Sequence, residues 1–188
     1  MMKLNDTILL ALHNIVAQGG PFADLVYWIA DRLDVWVIAF LLLWFLHRAW
    51  KKHLTSQRLF CFSCFHEVIM VMLTGILAWS ASALLKVLLT TLRPFAIESL
   101  SIIPLFVPVD PWAFPSGHAA LFVALGLITW FHDRVAGTVA LIAGTLIALA
   151  RVMAGVHFPI DIVGGALVAG IVVGSIMYFD NQHLHHIQ

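Results

Sequence analysis

Long apolar runs alternate with short polar segments along most of this chain. Five runs are apolar enough to cross a hydrocarbon core of about 30 Å when their ends snorkel or their length adapts to the bilayer. They cover residues 33–50, 67–89, 115–131, 136–152 and 160–179. The pattern predicts an all-α fold, a polytopic transmembrane helical bundle with five clear spans.

The first 32 residues follow a different pattern. Residues 5–18 place apolar side chains at helical spacing among polar ones, but fourteen residues are too few to cross the core. After a Gly-Gly-Pro break, residues 22–32 again mix apolar and charged side chains. We therefore expect residues 5–32 to form interfacial or re-entrant helices, with a sixth span as the alternative.

The composition excludes an ordinary soluble domain. The 188 residues are 62% hydrophobic and 11% charged, with a mean hydropathy of +0.98, whereas soluble domains carry roughly 25% charged residues. The formal net charge is zero with neutral histidines, and no nucleic-acid partner is expected. Residues 1–188 are predicted to form a single membrane domain.

The distribution of charge predicts the orientation of the spans. Four of the ten Lys and Arg residues lie at the end of the first span or between it and the second, at Arg48, Lys51, Lys52 and Arg58. The positive-inside rule places this segment in the cytoplasm. Because consecutive spans alternate in direction, the loops at 90–114 and 151–160 are then predicted to lie outside.

Ionisable side chains occur at three places beside these apolar runs, where each unpaired charge costs at least ~2.5 to 3.5 kcal/mol at bilayer depth. At the first place, Pro94 ends the second long run, because proline disfavours helical geometry in the residue before it. Lys86 and Arg93 can then reach one point near the outer surface. The alternative is that each cation merely snorkels at the interface.

The second place is the tetrapeptide Pro115-Ser116-Gly117-His118, which opens the third span. Proline suits the first turn of a helix, and the free N–H groups at a helix N-terminus, beside a glycine that permits close approach, form an anion site. Ser116 can add a hydroxyl group and His118 a titratable proton. The tetrapeptide by itself is weak support for such a site.

The third place runs from Arg151 to Asp161. Arg151 ends the fourth span, and His157 and Asp161 are four residues apart around Pro159, which marks a helix start. This spacing lets the carboxylate hold one ring nitrogen of His157 as N–H and leave the other free to attack. A buried His–Asp ion pair without a chemical role is the alternative.

The predicted topology puts all three places on the same face of the membrane, beside the apolar 94–114 loop. Three cations, a helix N-terminus and two histidines that converge there would form a phosphate site, because arginine forks match phosphate oxygens. Lys and Arg could supply the charge without a metal, and the cluster lacks the several carboxylates that Mg²⁺ prefers. No metal and no other cofactor is therefore predicted.

The order and spacing of these motifs resemble the signature of the type 2 phosphatidic acid phosphatase superfamily, over residues 67–179, the predicted catalytic core. The resemblance implies that His157 is a nucleophile that forms a phosphohistidine and that Asp161 orients it. His118 would protonate the leaving oxygen and later activate water. The implied phosphate-binding residues are Lys86, Arg93, Ser116, Gly117 and Arg151. Ala150 departs from the family pattern, which usually has serine before the arginine.

The resemblance also implies a lipid phosphatase in a bacterial inner membrane, with an active site that faces the periplasm or exterior. The small size and the outward-facing motifs resemble the bacterial members that recycle undecaprenyl diphosphate to the monophosphate for cell-wall synthesis. Phosphatidic acid, phosphatidylglycerophosphate and lysophospholipid stay open as substrates, because the signature recognises phosphate and not the tail. Membrane lipids are expected partners, and the oligomeric state stays open.

A different class of function is an anion transporter in which the cations only attract anions. Such a protein would need ionisable residues that continue through the bilayer. Residues 119–131 and 162–177 contain none. The sequence therefore favours the enzyme.

Overall fold

The computed structural model describes residues 2–56 and 62–185, with side chains for 3–54 and 65–180. Its regular elements in these ranges are helices, which confirms the predicted all-α class. The α-helices are α1 (Met2–His13), α2 (Pro21–Asp31), α3 (Leu33–Ser56), α4 (Phe62–Leu89), α5 (Gly117–His132), α6 (Arg134–Met153) and α7 (Pro159–His185). Two 3₁₀ turns, Pro94–Ala96 and Glu98–Leu100, follow α4. Arg58 of the predicted inner segment lies outside the described residues.

Four helices are long and apolar enough to cross a membrane. Their apolar segments contain 22, 25, 20 and 22 residues, in α3, α4, α6 and α7 respectively. α5 is also apolar but has 16 residues, which corresponds to about 24 Å, less than a hydrocarbon core of about 30 Å. Four of the five predicted spans therefore have spanning length, and the total number of spans stays a prediction.

α5 lies at the centre of the bundle, packed against α4, α6 and α7. It begins at Gly117 and not at residue 115 as predicted, because Ser116 is its N-cap residue and accepts a hydrogen bond from the Ala119 N–H at 3.4 Å. Gly165 of α7 packs against this first turn. A methyl group on Gly165 would collide with the Ser116 carbonyl oxygen, so a glycine is needed for this close approach.

α1 and α2 have 12 and 11 residues, too few to cross a core of about 30 Å, as predicted for the N-terminal region. α1 contacts both ends of the segment that joins α6 to α7. The His13 Nδ1 lies 2.8 Å from the Met153 carbonyl oxygen at the end of α6. The Ile160 N–H at the start of α7 donates to Asn5 Oδ1 at 3.1 Å. The N-terminal helices therefore support the segment that carries His157, and their depth in the bilayer stays a prediction.

Charged side chains tie three helices together at the opposite end of the bundle. Arg48 of α3 contacts Asp133 at 2.9 Å and Glu67 of α4 at 3.3 Å, and Lys52 contacts Glu67 at 2.6 Å. Asp133 also accepts hydrogen bonds from the N–H groups that open α6. This network fixes the turn between α5 and α6, far along the helices from the predicted site.

Candidate active site

A cavity of about 350 Å³ opens at the end of the bundle where α4 ends and α5 begins. Six of the eight predicted site residues line it, and they come from all three motifs: Lys86, Arg93, Gly117, His118, Arg151 and His157. The other two, Ser116 and Asp161, are buried behind this lining. The structure therefore brings the three motifs together, as the sequence predicted.

Two cations tie the loop after α4 to the cavity. Lys86, in the last turn of α4, donates to an Asp110 carboxylate oxygen at 2.5 Å and to the Trp112 carbonyl oxygen at 2.7 Å. The Arg93 Nε donates to the Asp110 carbonyl oxygen, and its Nη1 donates to the Val156 carbonyl oxygen, both at 2.8 Å. Arg93 thereby joins the covering loop to the segment that carries His157.

Asp110 was assigned no role in the sequence, yet it lies against both cations. Burial by itself would raise the pKa of Asp110, but hydrogen bonds from Lys86 and from the Trp112 N–H outweigh it and lower the pKa below its ordinary value. Burial lowers the pKa of Arg93, while the nearby Asp110 opposes that change. The carboxylate is therefore ionised at neutral pH and holds positive charge beside the cavity.

The loop that contains Asp110 covers the cavity with apolar side chains, including Phe106, Val107 and Val109. Val107 and Val109 also expose most of their surface. An apolar exposed loop suits the interfacial region beside a lipid-facing site. The loop therefore lies beside the predicted site, while its position on the outer face of the membrane stays a prediction.

His157 and Asp161 form the pair that their spacing predicted. The Asp161 Oδ2 lies 3.2 Å from the His157 Nδ1 and accepts the Phe158 N–H at 2.8 Å. The second contact is the carboxylate half of a capping box, in which the third residue of a helix binds the N-cap N–H. The N-terminus of α7 therefore fixes the carboxylate of Asp161. The His157 Nδ1 carries a proton and donates it in a hydrogen bond to this carboxylate.

This arrangement leaves the Nε2 of His157 for the cavity, where the Arg93 Nη1 lies 3.4 Å away. Complete burial holds the pKa of His157 well below its ordinary value, and the charges of Arg151 and Arg93 lower it further. The imidazole is therefore neutral at neutral pH. A neutral ring with one nitrogen held as N–H has a lone pair available for attack.

Arg151 approaches His118 from the end of α6. Its Nη1 donates to the Ala30 carbonyl oxygen at 2.9 Å and lies 3.2 Å from the His118 Nε2. Its guanidinium stacks over the Phe106 ring at 5.3 Å. Its Nε is buried without a hydrogen-bond partner among the described residues. The Arg151 Nε–H is thus a strong donor beside the cavity that has no acceptor among the described residues.

The junction of α2 and α3 contributes acidic residues that the sequence analysis missed. Asp31 lines the cavity, and the Asp34 Oδ2 lies 3.4 Å from the His118 Nε2. The one signal in the sequence was the presence of carboxylates at the border of an apolar run. Nothing in the spacing linked them to His118, which is more than eighty residues away.

Ser116 is fully buried, its hydroxyl caps α5, and its N–H donates to the Asp161 carbonyl oxygen at 2.9 Å. It does not line the cavity, so its predicted role as a phosphate ligand rests on the motif.

Ala150, the departure from the family pattern, is buried in an apolar cluster with Val26 and Ala30.

Four helices of spanning length, with two histidines and three cations around one cavity at the end of the bundle, define the class of a membrane-embedded phosphatase. A family model confirms this class. The chain belongs to the PAP2 superfamily, whose model matches residues 65–184. The resemblance drawn from the three motifs is thereby confirmed at the level of the superfamily.

Curated relatives and solved structures extend this result. The chain is 24% identical to undecaprenyl-diphosphatase BcrC of Bacillus subtilis strain 168 over 176 residues, which covers 93% of this chain and 83% of that protein. It is 33% identical over 55 residues to the bacitracin transport permease protein BcrC of Bacillus licheniformis, over 29% of this chain and only 27% of that protein.

Among solved structures, it is similar to the PAP2 type phosphatidylglycerolphosphate phosphatase from Bacillus subtilis, with a TM-score of 0.65 and 18% identity over 96% of this chain and 86% of that one. It is also similar to Aquifex aeolicus LpxE, with a TM-score of 0.59 and 24% identity over 90% of this chain and 92% of that one. At these identities the likeness establishes the fold.

Proposed function

We propose that the protein hydrolyses a lipid diphosphate or monophosphate at the extracytoplasmic face of a bacterial inner membrane, through a phosphohistidine intermediate. The observation that carries this proposal is the His157–Asp161 pair, whose free ring nitrogen shares one cavity with three cations and His118. We further propose undecaprenyl diphosphate as the substrate, in recycling of the cell-wall carrier. The similarity to undecaprenyl-diphosphatase BcrC supports this choice.

Phosphoryl transfer depends chiefly on positioning and on stabilisation of charge. Arg93 and the N–H groups that open α5 would bind the oxygens of the transferred group, and the unpartnered Arg151 Nε would gain an acceptor. The His157 Nε2 attacks phosphorus as the bond to the leaving oxygen breaks. His118 donates a proton to that oxygen, then takes a proton from the water that cleaves the P–N bond and releases inorganic phosphate.

The substrate and the metal requirement can be tested with purified protein and a panel of lipid phosphates. We expect phosphate release from undecaprenyl diphosphate, phosphatidic acid and phosphatidylglycerophosphate, fastest with undecaprenyl diphosphate and undiminished by EDTA. Lys86, Arg93 and Arg151 would supply the charge that a divalent cation supplies elsewhere. Faster release from a glycerophospholipid would contradict the proposed substrate, and loss of all release in EDTA would contradict the metal-free mechanism.

An anion transporter is the alternative of another class. The central segments of the helices, residues 35–46, 68–85, 119–131, 135–150 and 162–179, contain no Asp, Glu, Lys, Arg or His. A charged pathway across the membrane would need such residues. Anion uptake into proteoliposomes without any hydrolysis of the lipid panel would favour the transporter.

The orientation can be tested by cysteine labelling in a variant whose native Cys61 and Cys64 are replaced by serine. Ile103 lies in the covering loop and exposes 83% of its surface, whereas Val135 lies at the opposite end of the bundle and exposes 74%. We expect a membrane-impermeant maleimide to label Ile103→Cys in intact cells and Val135→Cys only after permeabilisation. The reverse pattern would place the cavity on the cytoplasmic face.

A further inference from the structure

Asp34, in the first turn of α3, is held beside His118 by its own backbone. Its Oδ1 accepts the Val35 N–H at 2.7 Å, and its Oδ2 lies 3.4 Å from the His118 Nε2. Both side chains are largely removed from solvent, with 22% and 28% of their surfaces exposed. The carboxylate therefore has one oxygen for the backbone and the other for the imidazole.

The same ring nitrogen also faces a cation, since the Arg151 Nη1 lies 3.2 Å from it. One nitrogen cannot accept from Arg151 and donate to Asp34 at the same time. With a proton on Nε2, His118 donates to Asp34, and without it His118 accepts from Arg151. In the described part of the chain Nδ1 has no hydrogen-bond partner, so Nδ1 is the nitrogen left for a substrate.

We propose that Asp34 is a positioning residue for His118, which it holds as Nε2–H so that Nδ1 exchanges protons with the leaving oxygen and with water. This inference rests on the proposed function. His118 enters the first step with both nitrogens protonated. The Nδ1 proton passes to the leaving oxygen as its bond to phosphorus breaks. Nδ1 then takes a proton from water as the water oxygen attacks the phosphohistidine and the P–N bond breaks.

The geometry repeats the His157–Asp161 pair with the ring nitrogens exchanged. Asp161 holds the Nδ1 of His157 and leaves Nε2 to react, whereas Asp34 faces the Nε2 of His118 and leaves Nδ1. The charged groups that act on His118 are Lys86 on α4, Arg151 on α6 and Asp34 on α3, and the neutral His157 before α7 and Asp31 on α2 also line the cavity. Asp34 supplies the negative charge that favours a protonated His118 among these cations.

Asp34→Asn tests the inference, because the Val35 N–H binds the amide oxygen and turns the amide NH₂ toward the His118 Nε2. An amide NH₂ at this position disfavours a proton on the His118 Nε2, so His118 becomes a weaker general acid. We expect kcat/KM for phosphatidic acid, whose alkoxide leaving group needs a proton, to fall by about 10²-fold. For 4-nitrophenyl phosphate, whose leaving group needs no proton, kcat/KM should stay within about threefold, because kcat/KM reports only the steps through transfer to His157.

Asp31→Asn is the matched control, since it removes one negative charge from the same cavity without a contact to His118. It is expected to change kcat/KM for both substrates by the same small factor. In a His118→Ala background, Asp34→Asn should have no further effect on the ratio of the two kcat/KM values. Retained hydrolysis of 4-nitrophenyl phosphate reports that each variant is folded.

Equal losses for both substrates in an Asp34→Asn protein whose thermal unfolding matches that of the unaltered protein would overturn the inference and reduce Asp34 to a structural residue. A further change in the ratio within the His118→Ala background would also overturn it. Either result would leave the proposed function intact, because the unaltered protein would still hydrolyse both substrates. Failure of the unaltered protein to release phosphate would instead contradict the proposed function.

Discussion

His157→Ala is expected to lower phosphate release by a factor on the order of 10⁴ to 10⁶, the loss found when a catalytic nucleophile is removed. The reason is that, among the described cavity residues, His157 is the histidine that enters the reaction neutral with one nitrogen fixed as N–H, whereas His118 enters it with both nitrogens protonated. Burial and the two arginines keep the pKa of His157 well below its ordinary value, so the ring is already in its attacking form at pH 7. The measurement is phosphate release by purified protein.

The intermediate gives a second measurement. After mixing with substrate labelled in the transferred phosphate, the unaltered protein should retain label that survives base and is lost in acid, as expected for a phosphohistidine. His157→Ala should retain none. His47→Ala, an exposed histidine at the opposite end of the bundle, should behave as the unaltered protein. Full activity in His157→Ala would show that another residue is the nucleophile.

The helices of spanning length could be predicted because crossing a membrane depends on a local property, the hydropathy of about 20 consecutive residues. The predicted run 136–152 became Arg134–Met153, and 160–179 became Pro159–His185. The start of α5 differed by two residues because the Ser116 hydroxyl, and not proline, supplies the cap. Capping depends on side-chain geometry, which hydropathy does not report.

The motif residues of the site could be predicted because their chemistry is unusual beside apolar runs and their spacing places them at helix ends. Asp34 and Asp110 could not be predicted in the same way. Asp34 reaches His118 only because α3 packs against α4 and α6. Asp110 is 24 residues from Lys86 in the sequence, and the irregular loop between them brings the two side chains together. Contacts of this kind follow from tertiary packing and have no local period in the sequence.

Asp161→Ala is expected to lower phosphate release by about 10⁴-fold, the loss found when the carboxylate that orients a catalytic histidine is changed. One oxygen, Oδ2, serves both the His157 Nδ1 and the Phe158 N–H. Alanine removes both contacts. The His157 ring is then no longer fixed in its Nδ1–H tautomer, and α7 loses part of its N-terminal cap. The cap alone contributes about 1 kcal/mol, so thermal unfolding of the purified variant should also move to lower temperature.

Asp161→Asn should be far less damaging, and the Phe158 N–H is the reason. This donor selects the amide oxygen for the position of Oδ2, where it can still accept from the His157 Nδ1, so orientation and tautomer are kept while the negative charge is lost. A hydrogen bond to a charged acceptor contributes about 1 to 2 kcal/mol more than a neutral one, which predicts a loss of roughly tenfold. At Asp34 the Val35 N–H binds Oδ1, the oxygen that does not face His118. Asp34→Asn would therefore present its amide NH₂, a donor, to His118. If Asp161→Asn lost as much activity as Asp161→Ala, charge and not orientation would be the main contribution of Asp161.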